Sequence, residues 1–231
     1  MAYPLQKQTA LITGGSNGIG FAIAEKFIEN GIKVTIADIV PPSLTFTGLT
    51  YRYCDVTNNK DVDSLFAGMQ SCLPDILVLN AGKGIHERLT EGDPEKWAAV
   101  VNLNIMGILR CIRAFVPPMQ KNQTGKVVFI SSVAAKKPYA YGGVYAASKA
   151  AVDSIAETLR IETMPFIGVT TIVAGITNTG FFSNRPDKDL LMQQAGFMQP
   201  QDIAEDVYYA ISKPAGSSIN SIMARPSGQE F

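Results

Sequence analysis

The stretch QTALITGGSNGIGFAIAEKFIENG, Gln8 to Gly31, constrains this chain more than any other. Thr9 to Ile12 is an apolar run of strand length, and Phe21 to Glu29 has helical periodicity closed by Gly31. Between them lie Gly14, Gly15, Gly18 and Gly20. A strand that passes through a tight glycine turn into a helix opens a β-α-β unit, and such units build parallel sheets. The same turn has a chemical use, because glycines let a backbone approach a pyrophosphate whose charge the helix N-terminus favours. The spacing, GxxxGxG, is one residue wider than the common dinucleotide fingerprint, and a glycine turn also serves plain chain reversal.

The rest of the chain repeats the alternation. Val34–Ala37, Tyr51–Cys54, Ile76–Leu79, Val127–Ile130, Gly168–Val173 and Ile219–Ala224 read as strands. Asn58–Ser71, Glu95–Met119, the run from Gly143 through Glu162, and Gln201–Ser212 read as helices, with Val62, Leu65, Phe66 and Met69 as a core stripe. Pro41 to Gly48 lacks helical character, so the crossover there is expected to be short. A chain of 231 residues with 46% hydrophobic content can bury one sizeable core, which predicts a single α/β domain over residues 1–231.

Several classes of function are disfavoured. The formal charge is zero with both signs interspersed, so neither a nucleic-acid surface nor an anionic membrane surface is expected. No apolar run approaches the roughly 18 residues of a bilayer span, and the start has no apolar stretch of signal-peptide length. Cys54, Cys72 and Cys111 form no CxxC, which fits thiols in a reducing, cytoplasmic setting. His86 is the only histidine, leaving little material for His-based triads or metal sites; it reads either as a substrate contact or as a loop residue.

Proton chemistry concentrates in KVVFISSVAAKKPYAYGGVYAASK, Lys126 to Lys149. Ser131 and Ser132 end a buried strand, and ligands of open parallel sheets sit beyond the carboxyl ends of strands. Tyr145 and Lys149 lie one turn apart on the following helix and share a face. A strand-end hydroxyl, a phenol and an ammonium can thus converge on one substrate atom. The pairs Tyr3/Lys7 and Tyr209/Lys213 repeat the spacing without an upstream strand-end serine, and read as chance.

Other positions carry weaker signals. Asp38 ends the second strand, where an acid accepts hydrogen bonds from an adenosine ribose and repels a 2′-phosphate; an ordinary turn acid would look the same. Asn17 adds no positive charge to the glycine loop. Asp55 and Val56 follow the third strand, where they can flank an adenine, and Asn80, Ala81 and Gly82 close the fourth. Asn102 and Asn104 interrupt an apolar helix, where amides also serve to satisfy backbone groups. The polar segment Asn184–Gln199 is expected to form a mobile flap, and the stretch from Phe181 to Gln199 to close over substrate.

From Thr9 to about Phe182 the chain resembles the short-chain dehydrogenases/reductases. The matching residues are TGGSNGIG at 13–20, Asp38, CDV at 54–56, NAG at 80–82, NIMG at 104–107, ISS at 130–132 and YAASK at 145–149. The resemblance implies a doubly wound, seven-stranded parallel sheet, the Rossmann fold, and a catalytic set of Asn104, Ser132, Tyr145 and Lys149. Asn104 would hold a water that links Lys149 to solvent. It implies a nicotinamide cofactor bound by Gly14, Ser16, Ile19, Asp38, Val56, Asn80, Tyr145, Lys149 and Thr179, and the neighbouring Asn17, Gly18, Gly20, Ile39, Asp55, Ala81, Gly82 and Thr177 are expected contacts beside them; Asp38, with no Lys or Arg in the glycine loop, reads as a preference for NAD(H) over NADP(H). The implied reaction is hydride transfer between NAD(H) and a small alcohol or ketone by a homodimer or homotetramer, with Tyr145 as acid or base. The alternative is a non-catalytic NAD-binding regulatory or structural protein. One departure stands out: Ala174-Gly175 replaces the family's usual Pro-Gly, which removes a φ restriction from the loop.

Overall fold

The computed structural model describes residues 5, 7–182, 196–214 and 216–229. Seven strands are linked by helices: β1 (Thr9–Thr13), α1 (Gly18–Glu29), β2 (Lys33–Asp38), β3 (Leu49–Tyr53), α2 (Asn59–Ala67), β4 (Ile76–Leu79), α3 (Pro94–Val101), α4 (Gly107–Lys121), β5 (Gly125–Ser132), α5 (Gly143–Thr163), β6 (Ile167–Ala174), α6 (Pro200–Ile211) and β7 (Ser221–Ala224). They form one sheet in the order β3-β2-β1-β4-β5-β6-β7. Every adjacent pair is parallel. As expected from the sequence, no helix joins β2 to β3. The order reverses between β1 and β4, and the chains leaving those two strands diverge to opposite faces. That divergence opens a crevice at their carboxyl ends.

Period-two alternation divides the core. Val127 and Phe129 of β5 pack with Leu11 and Leu77 beneath Phe115, Val152 and Leu159. Val128 and Ile130 turn to the other face with Ile12, Ile36 and Val78, against Phe27 of α1 and Val207 of α6. Strands buried on both faces explain why the sequence showed continuous apolar runs rather than alternation. Each of these aliphatic or aromatic side chains contributes roughly 2 kcal/mol through burial.

The helix read as one piece from Glu95 to Met119 is longer and interrupted. Asp93 caps it by accepting from the Glu95 N–H at 2.9 Å, with Pro94 in its first turn. Between α3 and α4, Asn102–Met106 forms a π-helical turn. Such single-turn π segments change the facing of the residues they contain, and here Asn104 is 1% exposed. Pro94–Lys121 is long and apolar enough, by composition, to cross a bilayer, although no apolar run in the sequence announced this. Its buried residues, including Val100, Ile108, Phe115 and Met119, are core residues of the sheet layer.

Candidate functional site

The crevice is a cleft of about 1130 Å³ along the carboxyl ends of β1, β2, β4, β5 and β6. Its floor is the glycine turn. Gly14 has φ +63° and Gly18 φ +55°, a region in which other residues are strained. A Cβ on Gly14 would stand 2.9 Å from the Ala81 Cα, and one on Gly20 would stand 2.4 Å from the Gly14 carbonyl oxygen. These glycines let β1 turn into α1 while β4 passes close above. The turn is held from β4: the Asn80 Nδ2 donates to the Thr13 and Gly14 carbonyls at 3.0 and 2.8 Å. The Thr13 hydroxyl accepts from the Asn80 and Ala81 N–H groups at 3.1 Å each.

Of the residues read as cofactor contacts, Gly14, Asn17, Gly18, Ile19, Asp38, Ile39, Asp55, Val56, Asn80, Ala81, Gly82, Tyr145, Lys149, Thr177 and Thr179 line this cleft. Ser16 and Gly20 do not. The Ser16 hydroxyl donates to the Val40 carbonyl at 2.6 Å, and its N–H donates to the Asp38 carboxylate at 3.0 Å. Ser16 therefore orients Asp38 from behind. Gly20 packs beneath the turn, with no space for a side chain. Opposite them, Thr179 faces Gly18, where an added Cβ would meet its methyl group at 3.4 Å.

Charge is segregated along the cleft. Glu25, Asp38 and Asp55 lie at the β2–β3 end, whereas Lys83 and Lys149 lie at the β4–β5 end. Asp55 is oriented by the Thr57 N–H and hydroxyl, which both donate to its Oδ1, at 2.9 and 2.7 Å.

At the β5 end, Ser132, Tyr145 and Lys149 line the same cleft. Ser132 closes β5, and its Oγ accepts from the Ala134 N–H at 3.1 Å, fixing the hydroxyl at the start of a short 3-10 turn. The Lys149 ammonium donates to the Ile130 carbonyl at 2.8 Å and lies 6.0 Å from the Tyr145 ring centroid. Burial pushes Lys149 down to about 8, and the nearby Asp153 carboxylate opposes that shift. Burial drives the Tyr145 phenol well above its ordinary 10, while a hydrogen bond with Ser132 pulls the other way. Without a ligand the phenol is therefore protonated at neutral pH.

Asn104 is placed differently. It does not line the cleft. Its Oδ1 accepts from the Lys83 N–H at 2.9 Å, and its Nδ2 donates to the Lys83 carbonyl and to the Ser148 Oγ, both at 3.0 Å. The Ser148 hydroxyl donates in turn to the Tyr145 carbonyl at 2.7 Å. With both amide protons and the carbonyl engaged, this side chain ties the loop after β4 to the second turn of α5. Sequence reasoning missed Ser148, although it stands inside YAASK. It also missed Lys83, whose place in the cleft follows from tertiary packing, whereas Phe181, which also lines the cleft, begins the segment expected to close over substrate.

The remaining readings sort by position. His86 stacks between Tyr139 and Tyr141, at centroid distances of 6.1 and 5.2 Å, in a second cavity of about 870 Å³. Tyr209 and Lys213 form an exposed pair with the ammonium 3.6 Å from the ring centroid, outside the cleft. Tyr3 lies outside the described residues, as do residues 183–195, most of the segment read as a flap. Ala174-Gly175 is anchored without proline. The Gly175 N–H donates to the Ala224 carbonyl at 2.7 Å, the Ile176 N–H donates to the Gln229 Oε1 at 3.0 Å, and a Cβ on Gly175 would sit 2.7 Å from the Arg225 Cα. The carboxy-terminal loop thus supplies the restraint that a proline ring would impose elsewhere.

Sheet order, crevice and glycine turn define a protein of the Rossmann-fold class. A family model described as short chain dehydrogenase matches residues 8–190. An uncharacterized oxidoreductase of Staphylococcus saprophyticus is 32% identical over 235 residues, covering 96% of this chain and 98% of the relative. Among solved structures, the closed form of a serine dehydrogenase complexed with NADP+ superposes with a TM-score of 0.88 at 28% identity, over 96% of each chain. The 3-ketoacyl-(acyl-carrier-protein) reductase of Brucella melitensis complexed with NADH has the same TM-score, 0.88, at 24% identity, over 96% of this chain and 98% of that one. The chain belongs to the short-chain dehydrogenase/reductase family of oxidoreductases.

Proposed function

We propose that the protein interconverts a small alcohol and its ketone, with Tyr145 as the proton-transfer group. The observation that carries this reading is the convergence of Ser132, Tyr145 and Lys149 on the cleft that the glycine turn floors. The fit to a dinucleotide rests on the Cβ-free approach of Gly14 and Gly18 and on the cleft's volume of about 1130 Å³. When bound, a nicotinamide supplies the hydride or accepts it. Gly14, Asn17, Ile19 and Asp38 would hold its adenosine side, while Asn80, Lys149, Thr177 and Thr179 would hold its nicotinamide side.

The chain's own residues move the proton. In reduction, Tyr145 donates its phenolic proton to the carbonyl oxygen as negative charge develops there. Ser132 donates a hydrogen bond to the same oxygen and holds it in line with the phenol. In oxidation, Tyr145 must be phenolate, which burial opposes. Bringing a phenol from its ordinary value of about 10 to neutrality requires about 4 kcal/mol. The Lys149 ammonium and a positive nicotinamide ring both act in that direction. Asn104 serves as a positioning residue that holds Lys83 and Ser148 in register.

NAD(H) is the preferred carrier in this reading, although a neighbour carries NADP+ and another NADH. Asp38 is oriented by the Ser16 and Val40 N–H groups, and the cleft's cations, Lys83 and Lys149, lie at its far end. A 2′-phosphate at about 4 Å from that carboxylate meets roughly 4 kcal/mol of repulsion at an effective dielectric near 20. The same reading has a soluble, cytoplasmic, single-domain homo-oligomer acting on a small molecule. Exposed Val101 and Leu109 on α3 and α4 support the contact between copies. A panel of alcohols and ketones followed by nicotinamide absorbance tests the activity. Turnover of at least one small ketone with NADH is expected, and bound but unconsumed NADH across the whole panel contradicts it.

A further inference from the structure

We propose that Phe181 sets the size of substrate that reaches Tyr145, its ring filling the space that the larger substituent of a ketone would occupy. The inference rests on the reaction proposed above and names the substrate class it admits: small aliphatic ketones and their alcohols. Two contacts define the ring's position. Its centroid lies 5.5 Å from that of Tyr145, with the planes tilted by 56°. Its Cε1 would stand 3.0 Å from a Cβ on Gly84, in the loop after β4. The ring therefore lies in the cleft beside both the phenol and the loop after β4, and Tyr145 is left 6% exposed.

The residue is held at its backbone. The Phe181 N–H donates to the Thr179 Oγ1 at 3.2 Å, so the chain leaves the cofactor side of the cleft at a fixed point. Phe181 is 36% exposed, so its ring meets solvent as well as the cleft. Gly84 completes the arrangement, because any larger residue there meets the ring. A methyl or ethyl group fits beside a phenyl ring that yields a little. An aryl group needs the volume that the ring itself fills beside Gly84 and Tyr145.

The test compares wild type, Phe181→Ala, Gly84→Ala and the double variant. For each, kcat/KM with NADH is measured for 2-butanone and acetophenone. Phe181→Ala is expected to raise the acetophenone to 2-butanone ratio at least about tenfold, in line with what small changes of apolar pocket size are worth. Gly84→Ala is expected to lower kcat/KM for 2-butanone several-fold when Phe181 is present, and to be nearly neutral in Phe181→Ala, since the two effects couple only through contact. A second readout is independent of turnover. Benzamide, an unreactive aryl carbonyl, is titrated against each NADH complex by nicotinamide fluorescence, and is expected to bind Phe181→Ala about tenfold more tightly than wild type. An unchanged substrate ratio together with unchanged benzamide affinity overturns the assignment of Phe181. A tenfold benzamide effect without turnover of any ketone upholds that assignment and removes the proposed reaction instead.

Discussion

Replacing Lys149 with methionine should destroy activity while stabilising the fold at neutral pH. The side chain is 5% exposed, and burial lowers its proton affinity from an ordinary 10.5 to about 8. Below about pH 8 the folded protein holds a buried ammonium, which the unfolded chain holds in water at no such cost. The difference of proton affinity corresponds to about 3 kcal/mol, because each pH unit is worth about 1.4 kcal/mol. Methionine has a similar length and no charge, so it removes that cost. It also loses the hydrogen bond from the charged ammonium to the Ile130 carbonyl, worth about 1.5 kcal/mol. A net gain of about 1.5 kcal/mol at pH 7 remains, or several degrees in Tm for a chain of this size.

The pH dependence has a definite sign. Between pH 8 and 10.5 the unfolded chain keeps the Lys149 proton that the folded chain has released, so this residue makes wild-type stability rise with pH across that window. The advantage of Lys149→Met should therefore shrink from about pH 8 upward and vanish near pH 10. Urea melts of both proteins from pH 6 to 10 measure the difference directly and cancel the titration of other groups. NADH binding should weaken in the variant at every pH. A variant less stable than wild type at pH 7, with a pH-independent difference, refutes the reasoning: it would mean that the ammonium stabilises the ligand-free fold.

Two further outcomes follow from named contacts. Asp38→Ala removes the negative charge that a 2′-phosphate would meet, so the ratio of kcat/KM for NADPH to that for NADH should rise at least about tenfold; an unchanged ratio contradicts the role given to Asp38. Asn104→Ala strips partners from the Lys83 N–H, the Lys83 carbonyl and the Ser148 hydroxyl, which should cost about 2–3 kcal/mol and lower Tm by roughly 5–10 °C; a melting temperature within a degree of wild type contradicts it.

The parts of this molecule that were legible in its sequence are those set by local rules. Glycines at 14, 18 and 20 marked the turn, and apolar runs such as Ile76–Leu79 marked strands whose burial on both faces leaves no alternation to misread. The helix start read at Glu95 lies within a residue of the observed Pro94. Legibility ended where long-range contacts decide. Asn104 was visible as an amide in an apolar helix, yet its partners lie 21 and 44 residues away, and the π-helical turn that buries it has no signature of its own. Ser16 and Gly20 belong to the glycine motif but sit behind the cleft wall, because spacing gives membership of a turn and not the direction of each residue in it. Tyr145 was legible as an acid or base, but not its burial, which raises the phenol's pKa and which only the packed structure reveals.

The central claim is that Tyr145 carries the proton, and Tyr145→Phe tests it most directly. The substitution deletes one hydroxyl and keeps the ring that packs with Ala134 and Ala146, so Tm should stay within a few degrees and NADH should bind within about twofold of wild type. With a competent ketone, under conditions where chemistry limits the rate, kcat should fall about 100- to 10,000-fold, the usual worth of a positioned acid. Tyr209→Phe, at the exposed pair outside the cleft, should leave kcat unchanged. A Tyr145→Phe protein that folds, binds NADH and retains more than about a tenth of wild-type kcat would contradict the assignment.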